Sequence, residues 1–356
     1  MKKILISTGG SGGHVIPALN LYNHLKNKFD VSLCTDVRGA KYIPQEIKKI
    51  VLEVRKIPEK KYLFFIKIIF LFIAFVRSLI YLSTNKIDIL ISTGGYMSLP
   101  IVLAAKIFNK KIFLFEPNSV IGRSNKFLLK FSLKILCYDD NLAGLNQKYY
   151  HKIIKIYPIL NKCFYSQQID NKTRNDYLRV LIIGGSQASL FFSRNLKSEI
   201  IQLAKKYQVK VTQQLSPGID IENYKKDYDS NNINNKLFFF EENFLCKKND
   251  FDIAITRAGA SSLAELAHLN IPFISIPFPH ATDNHQFLNA RRYYELNCCW
   301  LLEEKNFNSG DINRIIDQIM VDKKEYLEKN NNLIKITANN TWESINQRII
   351  NIFNEN

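Results

Sequence analysis

The chain lacks the marks of several protein classes. Its six cysteines, Cys34, Cys137, Cys163, Cys246, Cys298 and Cys299, form no Cys-x-x-Cys pair. Scattered thiols of this kind read as reduced core residues of a cytosolic protein. No zinc-finger spacing or RNA-binding signature occurs, which argues against nucleic acid as a partner. No Gly-Lys-Ser/Thr closes a glycine loop and no G-x-G-x-x-G occurs, so neither a P-loop nor the dinucleotide fingerprint is present. There is no fixed short-period repeat. The first predicted strand, Lys3 to Ser7, follows the initiator methionine too closely for a signal peptide. A membrane-spanning run is also missing. Tyr62 to Leu82 is strongly apolar, but Lys67 and Arg77 interrupt it, leaving Ile68 to Val76 as its longest uncharged stretch. A span needs about 20 apolar residues, and each charge near the bilayer centre costs about 2.5–3.5 kcal/mol. The segment therefore reads as a core helix or as a helix with one face on a membrane surface. Lys60, Lys61, Lys67 and Arg77 would suit anionic headgroups in the second case.

What is present has a clear organisation. The chain has 356 residues, 46% of them hydrophobic, enough for two domains with their own cores. Lysine and arginine exceed aspartate and glutamate by 17, a balance that favours an anionic partner or reflects a lysine-rich composition. The stretch Phe251 to Pro277, FDIAITRAGASSLAELAHLNIPFISIP, organises the second half. Phe251 to Thr256 reads as a buried strand, Arg257 to Ala260 as a tight turn, and Ser261 and Ser262 as N-cap residues of a helix that ends at Asn270. Ile271 to Ile276 reads as a second strand. A turn of small residues aimed at a helix N-terminus suits phosphate, because that end carries unpaired N–H groups and a partial positive charge. Ser262 and Glu265 also have capping-box spacing.

The same design recurs. Ile4 to Ser7 leads into Thr8-Gly9-Gly10-Ser11-Gly12-Gly13-His14 and a helix from about Pro17 to Lys28. Ile89 to Ser92 leads into Thr93-Gly94-Gly95-Tyr96 and a helix from about Ser98. Arg179 to Ile183 leads into Gly184-Gly185-Ser186-Gln187-Ala188-Ser189 and another helix. Between the halves, the polar stretch from about 156 to 174 reads as a linker, and Asp220 to Asn235 as a loop. Alternating strands and helices predict an α/β fold of two Rossmann-like, doubly wound domains. Ligands in such sheets bind beyond the carboxyl ends of the strands.

Six pieces lie in a characteristic order: GGSGGH at 9–14, GGYMSLP at 94–100, EPN at 116–118, GGSQAS at 184–189, TRAGASSLAE at 256–265 and DNHQFLNA at 283–290. On these the chain resembles the GT-B glycosyltransferases, and within them the MurG-type N-acetylglucosaminyltransferases. The resemblance implies a GT-B fold whose two domains face one another across a cleft. Residues 1–155 would form the acceptor- and membrane-facing domain and 175–335 the domain that holds UDP-N-acetylglucosamine. Residues 336–356 would form a helix returning to the first domain. It further implies roles by position. Phe240 would meet uracil through its backbone, Ala260, Ser261, Ser262, Leu263 and Ala264 the pyrophosphate, with Ser186 adding a contact, and Glu265 the ribose. His285, Gln286 and Asn289 would bind the sugar. Ser11, Gly12, Gly13 and Asn118 would line the cleft, with Gly94, Gly95 and Tyr96 on the acceptor side. Three positions depart from the family pattern: Leu160 stands in place of an arginine, Ala188 in place of a glycine, and Pro117 in place of a glutamine.

The reaction so implied is an inverting transfer of N-acetylglucosamine to the C4 hydroxyl of an undecaprenyl-linked muramyl acceptor, with His14 as general base. No cofactor or metal is expected. The Asp-x-Asp pairs Asp227/Asp229 and Asp250/Asp252 lie in a polar loop and before a strand, away from the pyrophosphate. The expected location is peripheral, on an anionic membrane surface at the cytoplasmic face of the inner membrane. The alternatives are another GT-B transferase or sugar-nucleotide epimerase, and a basic nucleic-acid-binding protein.

Overall fold

The structure is a computed structural model that describes residues 1–10, 12–52, 64–166, 177–185, 188–241, 243–247 and 250–355, without the side chains of 64–67. Ser11, Ser186, Lys60, Lys61 and the start of the apolar segment at Tyr62 lie outside the described residues, as does the Lys67 side chain. The chain divides into two compact units, Met1–Lys162 with Asn340–Asn356, and Cys163–Asn339.

In the first unit seven strands form one parallel sheet. They are β1 (Lys3–Ser7), β2 (Asp30–Thr35), β3 (Lys49–Val51), β4 (Ile89–Ser92), β5 (Lys111–Glu116), β6 (Lys134–Cys137) and β7 (Ile153–Lys155), in the order β3-β2-β1-β4-β5-β6-β7. The central strands are buried beyond their first residues, which is why β4 and the middle of β5 read as continuous apolar runs with no alternation. Helices α1 (Gly12–Leu25), α2 (Phe64–Thr84), α3 (Ser98–Ile107) and α4 (Arg123–Leu128) connect them. Chain order reverses direction between β1 and β4. In a doubly wound sheet that switch point opens a crevice at the strand ends.

In the second unit β8 (Leu178–Ile183), β9 (Val209–Gln214), β10 (Asn234–Phe238), β11 (Ile253–Thr256), β12 (Phe273–Ser275) and β13 (Cys299–Leu301) form a parallel sheet in the order β10-β9-β8-β11-β12-β13. Here the switch point lies between β8 and β11. The helices are α5 (Lys162–Tyr165, beginning one residue before the unit), α6 (Leu190–Ala204), α7 (Ile221–Asp229), α8 (Phe244–Lys247), α9 (Ala260–His268), α10 (His285–Glu295), α11 (Asp311–Val321) and α12 (Lys324–Thr337).

The last helix, α13 (Trp342–Glu355), belongs to the first unit. It buries Ile345, Ile349, Ile352 and Phe353, one stripe at helical spacing. Phe353 meets Phe113 of β5 edge to face at 4.9 Å. Burying each such side chain stabilises the fold by roughly 1.5–3 kcal/mol. Trp342 stacks on His24 of α1 at 3.8 Å. Burial pushes the His24 pKa down to about 4, against hydrogen bonds to Asn346 and the Leu160 carbonyl that work to raise it.

Several expectations are corrected. Cys163 and Cys246 are not reduced core thiols: they form a disulfide with Cα atoms 5.6 Å apart. The other four cysteines are free and buried. Asp220–Asn235 is not a loop. Asp220 caps α7 by accepting from the N–H groups of Glu222 and Asn223, and Tyr224 and Tyr228 bury one face. Asp227 and Asp229 therefore sit on a helix, with Asp227 paired to Lys197 and Asp229 accepting from Asn235. Asp252 is held by Arg179. The helix after the first glycine loop begins at Gly12, not near Pro17; Pro17 lies inside the helix as its sixth residue, past the first turn where proline is favoured.

Helix α2 buries Ala74, Ser78 and Leu82, spaced four apart, in the core that includes α3. Its other side exposes Ile69, Phe72, Ile73, Val76 and Ile80, with Phe72 64% exposed. No helix among the described residues is long and apolar enough to cross a membrane.

Candidate active site

The predicted site residues fall into two groups, one at the switch point of each unit. In the first unit, β1 delivers Gly9 and Gly10. Gly10 has φ +87°, and a Cβ on Gly9 would lie 2.5 Å from Met97 Cγ. Only glycine lets the backbone run this close. Helix α1 then begins at Gly12, so Gly12 and Gly13 are helical and His14 is the third helical residue, not a residue of the loop. His14 Nδ1 lies 3.0 Å from the Thr93 carbonyl oxygen, which can only accept. In the neutral ring Nδ1 therefore carries the proton and Nε2 the lone pair. Nε2 has no hydrogen-bond partner among the described residues.

The second glycine turn, after β4, packs against the imidazole. Gly94 and Gly95 have φ +87° and +84°. A Cβ on Gly94 would lie 3.5 Å from His14 Cε1 and 3.3 Å from Asn125 Nδ2. Tyr96, next in the turn, is 44% exposed. Asn118 comes after β5, and its Nδ2 donates to Glu116 Oε1 at 2.9 Å. Glu116 is buried, and its other oxygen accepts from Gly122 N at 2.9 Å and Asn125 Nδ2 at 3.0 Å. The sequence motif contained Glu116 without revealing this role. Its carboxylate fixes both Asn118 and the asparagine that lies against Gly94.

In the second unit, β11 delivers Arg257, Ala258 and Gly259, and α9 starts at Ala260. The N-cap is Gly259, extended at φ −67° and ψ 134°, with no side-chain cap. Ser261 and Ser262 are inside the first turn and do not cap, which corrects the expectation. Because no side chain covers the end, the opening N–H groups of α9 have no capping partner and can receive an anion. Ser262 Oγ would lie 3.9 Å from a Cβ on Gly185, so the turn after β8 faces this helix end. Leu263 and Ala264 are buried, anchoring the helix.

Glu265 follows one turn later and has no hydrogen-bond partner among the described residues. It keeps some surface exposure, yet protein surrounds the carboxyl, and that burial pushes its pKa up to about 8.

Two organising residues were not found from sequence. Arg257 is buried and donates to Ser189 Oγ at 3.1 Å and to the carbonyls of Ile276 and Pro277 at 3.0 and 3.2 Å. It pairs with Glu304 at 2.5 Å, and its guanidinium carbon lies 4.7 Å from the Phe192 ring centroid. Burial lowers its pKa and Glu304 opposes that shift. Gln214, at the end of β9, accepts from Gly184 N at 2.9 Å and donates to the carbonyls of Gly185 and Phe239. It ties the glycine turn to the segment carrying Phe240, whose side chain is 57% exposed. Both look like ordinary strand-end residues in sequence.

Of the three residues assigned to the sugar, Gln286 accepts from the N–H groups of Phe278 and Ala258. Asn289 is buried and donates to the Ala258 carbonyl at 3.0 Å. His285 Nδ1 lies 2.8 Å from the Thr282 carbonyl oxygen. Gln286 and Asn289 thus brace the Arg257–Gly259 turn. Ala188 has φ +56°, the left-handed region, which is why a glycine is usual there. Leu160, in place of an arginine, is buried, and its carbonyl oxygen lies 3.3 Å from His24 Nε2.

The chain is similar to known proteins along its whole length. The glycosyltransferase family 28 N-terminal domain matches residues 4–137 and the C-terminal domain residues 179–349. A UDP-N-acetylglucosamine–N-acetylmuramyl-(pentapeptide) pyrophosphoryl-undecaprenol N-acetylglucosamine transferase of Pelagibacter ubique is 45% identical over 100% of this chain and 99% of its own. The protein of the same name from Rickettsia canadensis is 32% identical over 94% of this chain and 95% of its own. Among solved structures, Acinetobacter baumannii MurG superposes over 100% of both chains with TM-score 0.78 at 18% identity. A UDP-GlcNAc 2-epimerase of Neisseria meningitidis superposes with TM-score 0.68 at 13% identity, over 99% of this chain and 100% of its own. Likeness at such low identity speaks to the fold.

Proposed function

The chain belongs to glycosyltransferase family 28, and from that premise we propose that it transfers N-acetylglucosamine from UDP-N-acetylglucosamine to the C4 hydroxyl of the muramyl sugar on undecaprenyl pyrophosphate. This is the lipid I to lipid II step of peptidoglycan synthesis. The observation that carries the reading is the end-to-end 45% identity with a transferase of that name. The glycine turns at both switch points and the uncapped start of α9 fit it.

The donor binds the second unit. The opening N–H groups of α9, from Ala260 to Ser262, receive the pyrophosphate, and Ser186 adds a contact; Leu263 and Ala264, expected to share that role, cannot, because the Leu263 N–H is already bonded to the Gly259 carbonyl and Ala264 lies further inside the helix. Glu265 takes the ribose hydroxyls, and the backbone at Phe240 takes the uracil. His285, Gln286 and Asn289 meet the sugar. The acceptor binds the first unit beside Ser11, Gly12, Gly13, Gly94, Gly95, Tyr96 and Asn118. His14 Nε2 takes the proton from the acceptor O4, and O4 attacks the anomeric carbon from the face opposite UDP. The bond from that carbon to the β-phosphate oxygen breaks with its electron pair on UDP. The N–H groups and partial positive charge at the start of α9 stabilise the developing anion. The configuration at the anomeric carbon inverts.

The acceptor is a lipid, and the exposed stripe on α2 supplies a face that rests on an anionic membrane surface, the inner leaflet of the plasma membrane. The C-terminal end of α3, in the same unit, also exposes Ile107 and Phe108 beside Lys106. Burial and the charges of Lys106 and Lys134 lower the Lys152 pKa, the sign of a cationic cluster in the same unit. Lys130 lies 4.8 Å from the ring centroids of both Phe127 and Phe131. Such a mixture of rings and cations suits anionic headgroups.

The test is transfer from UDP-N-acetylglucosamine to the muramyl acceptor, offered both on a short soluble prenyl chain and in anionic vesicles. Turnover is expected with both, with inverted product. Phe72→Ser is expected to lower turnover and sedimentation with the vesicles while leaving the soluble acceptor unaffected. No transfer to either acceptor overturns the reaction, and full vesicle activity in Phe72→Ser overturns the docking face.

A further inference from the structure

We propose that Asp36, braced by Arg38, is a positioning residue for the transfer, fixing the Gly9–Gly10 turn and through it the placement of His14 at the start of α1. The inference rests on the reading of His14 as the base, and it concerns a residue outside every glycine motif. Asp36 follows β2, and its side chain is wholly buried. Oδ1 accepts from the backbone N–H of Gly10 at 3.0 Å and of Gly39 at 2.8 Å. Oδ2 accepts from Arg38 Nε at 3.0 Å and from its terminal nitrogen at 2.8 Å. Burial resists ionisation, but the Gly10 and Gly39 N–H groups and the Arg38 guanidinium outweigh it and hold the pKa below the usual carboxylate range.

The turn needs such a restraint. Gly10 is left-handed, and a glycine pair has no side chain to hold one conformation against the others open to it. A Cβ on Gly9 would lie 3.2 Å from Asp36 Oδ1, so the backbone presses directly on this carboxylate. Helix α1 starts at Gly12, and His14 is then tied to the Thr93 carbonyl. The short path from Gly10 to His14 is thus held at one end by Asp36 and at the other by Thr93. A displacement of about 1 Å at a reacting group can cost about 100-fold in rate.

A purely structural role is the competing account. Asp36 also starts the 3₁₀ turn Gly39–Tyr42, where its carbonyl accepts from Ala40 N at 2.9 Å. Loss of that role alone would lower stability and leave turnover per folded molecule unchanged.

The experiment compares Asp36→Ala, Asp36→Asn and Arg38→Ala, each alone and combined with His14→Ala. It measures kcat at saturating donor and acceptor, UDP affinity by calorimetry, and thermal unfolding. Asp36→Ala is expected to lower kcat about 10- to 100-fold, with UDP affinity changed less than about twofold because the donor binds the other unit. Asp36→Asn, whose amide oxygen still accepts from Gly10 and Gly39, should recover most of the loss. In the His14→Ala background, Asp36→Ala should cost nothing further, since residues acting through one group are not additive. Unchanged kcat in folded Asp36→Ala overturns the proposal, as does a loss that persists in full without His14. If Asp36→Ala does not fold, Arg38→Ala carries the test, because its side chain is half exposed. A several-fold loss that vanishes without His14 supports the proposal, and full turnover overturns it. A crippled His14→Ala with a fully active Asp36→Ala removes this inference alone. A fully active His14→Ala removes both it and the base assignment, and an inactive wild type removes the reaction.

Discussion

In the first unit the buried charges at the switch point are carboxylates, and both are engaged. Asp36 holds the first glycine turn and Arg38, and Glu116 holds Asn118, Gly122 and Asn125. In the second unit the buried charge that organises the loops is a cation, Arg257, and the carboxyl of Glu265 has no partner among the described residues. The difference follows from what each site is proposed to receive. Negative charge buried beside the acceptor loops costs little when protein donors saturate it. A carboxyl held apart from such donors pays in a raised pKa until a ligand supplies hydroxyl groups.

Breaking the comparison at its most reactive point should give the largest effect. His14→Ala is expected to lower turnover about 10²–10⁴-fold while leaving UDP affinity unchanged, as calorimetry would show. An equal loss in UDP affinity would place the histidine in the donor site instead.

Glu265 sharpens the contrast through pH. Its folded pKa, about 8, is above the unfolded value. In the ligand-free protein its contribution to stability is therefore fully present below the unfolded pKa. It is lost as pH rises towards 8, because the unfolded chain releases a proton that the folded chain retains. Melting followed from pH 5 to 8.5 should show that decline, and Glu265→Gln should flatten it. If ribose hydroxyls donate to the carboxylate, UDP binding favours the ionised form. Proton release near pH 7 is then expected in calorimetry across buffers of different ionisation enthalpy. Glu265→Gln should weaken UDP by about 1.5–3 kcal/mol, the worth of a charge-assisted hydrogen bond. Unchanged affinity and no proton release would mean that the carboxyl does not meet the ribose.

The smallest effect concerns the backbone. The first-unit turns place glycine at φ +87°, +87° and +84°; the turn after β8 places Gly185 at +78° but also an alanine, Ala188, at +56°. Left-handed alanine costs about 1–2 kcal/mol, and glycine costs about 0.4–1 kcal/mol through the unfolded chain. Ala188→Gly should therefore raise stability by up to about 1 kcal/mol in denaturant titration. Destabilisation would show that the methyl group makes contacts worth more than the strain.

Much of this was legible in the sequence. The glycine turns and the strands before them stand where the apolar runs ended, because a strand buried on both faces has no other pattern to show. The two-unit α/β class followed from their alternation. Helix α7 was missed because its surface is polar, although Asp220 as a cap and Tyr224 and Tyr228 at helical spacing carried the signal. The short edge strands β3, β7 and β13 were too brief to stand out. Asp36, Glu116, Gln214 and Arg257 were illegible for another reason. Each acts through side-chain bonds to backbone that is distant in sequence or held in a turn, and no spacing rule records such bonds. The Cys163–Cys246 link, 83 residues apart, is equally silent.

Helix α13 has a consequence for how the protein is made. The first unit is closed by residues from both ends of the chain: Lys2 Nζ donates to the Phe353 carbonyl, and Phe353 is fully buried against β5. During synthesis the sheet of the first unit emerges long before the helix that covers Phe29 and Phe113. The nascent unit therefore waits, with part of its apolar surface open, while the whole second unit is translated and can fold. Contacts this distant in sequence form late and slowly, and an uncovered apolar surface in that interval invites aggregation. The order of translation thus makes the first unit, which carries His14, the last to be completed.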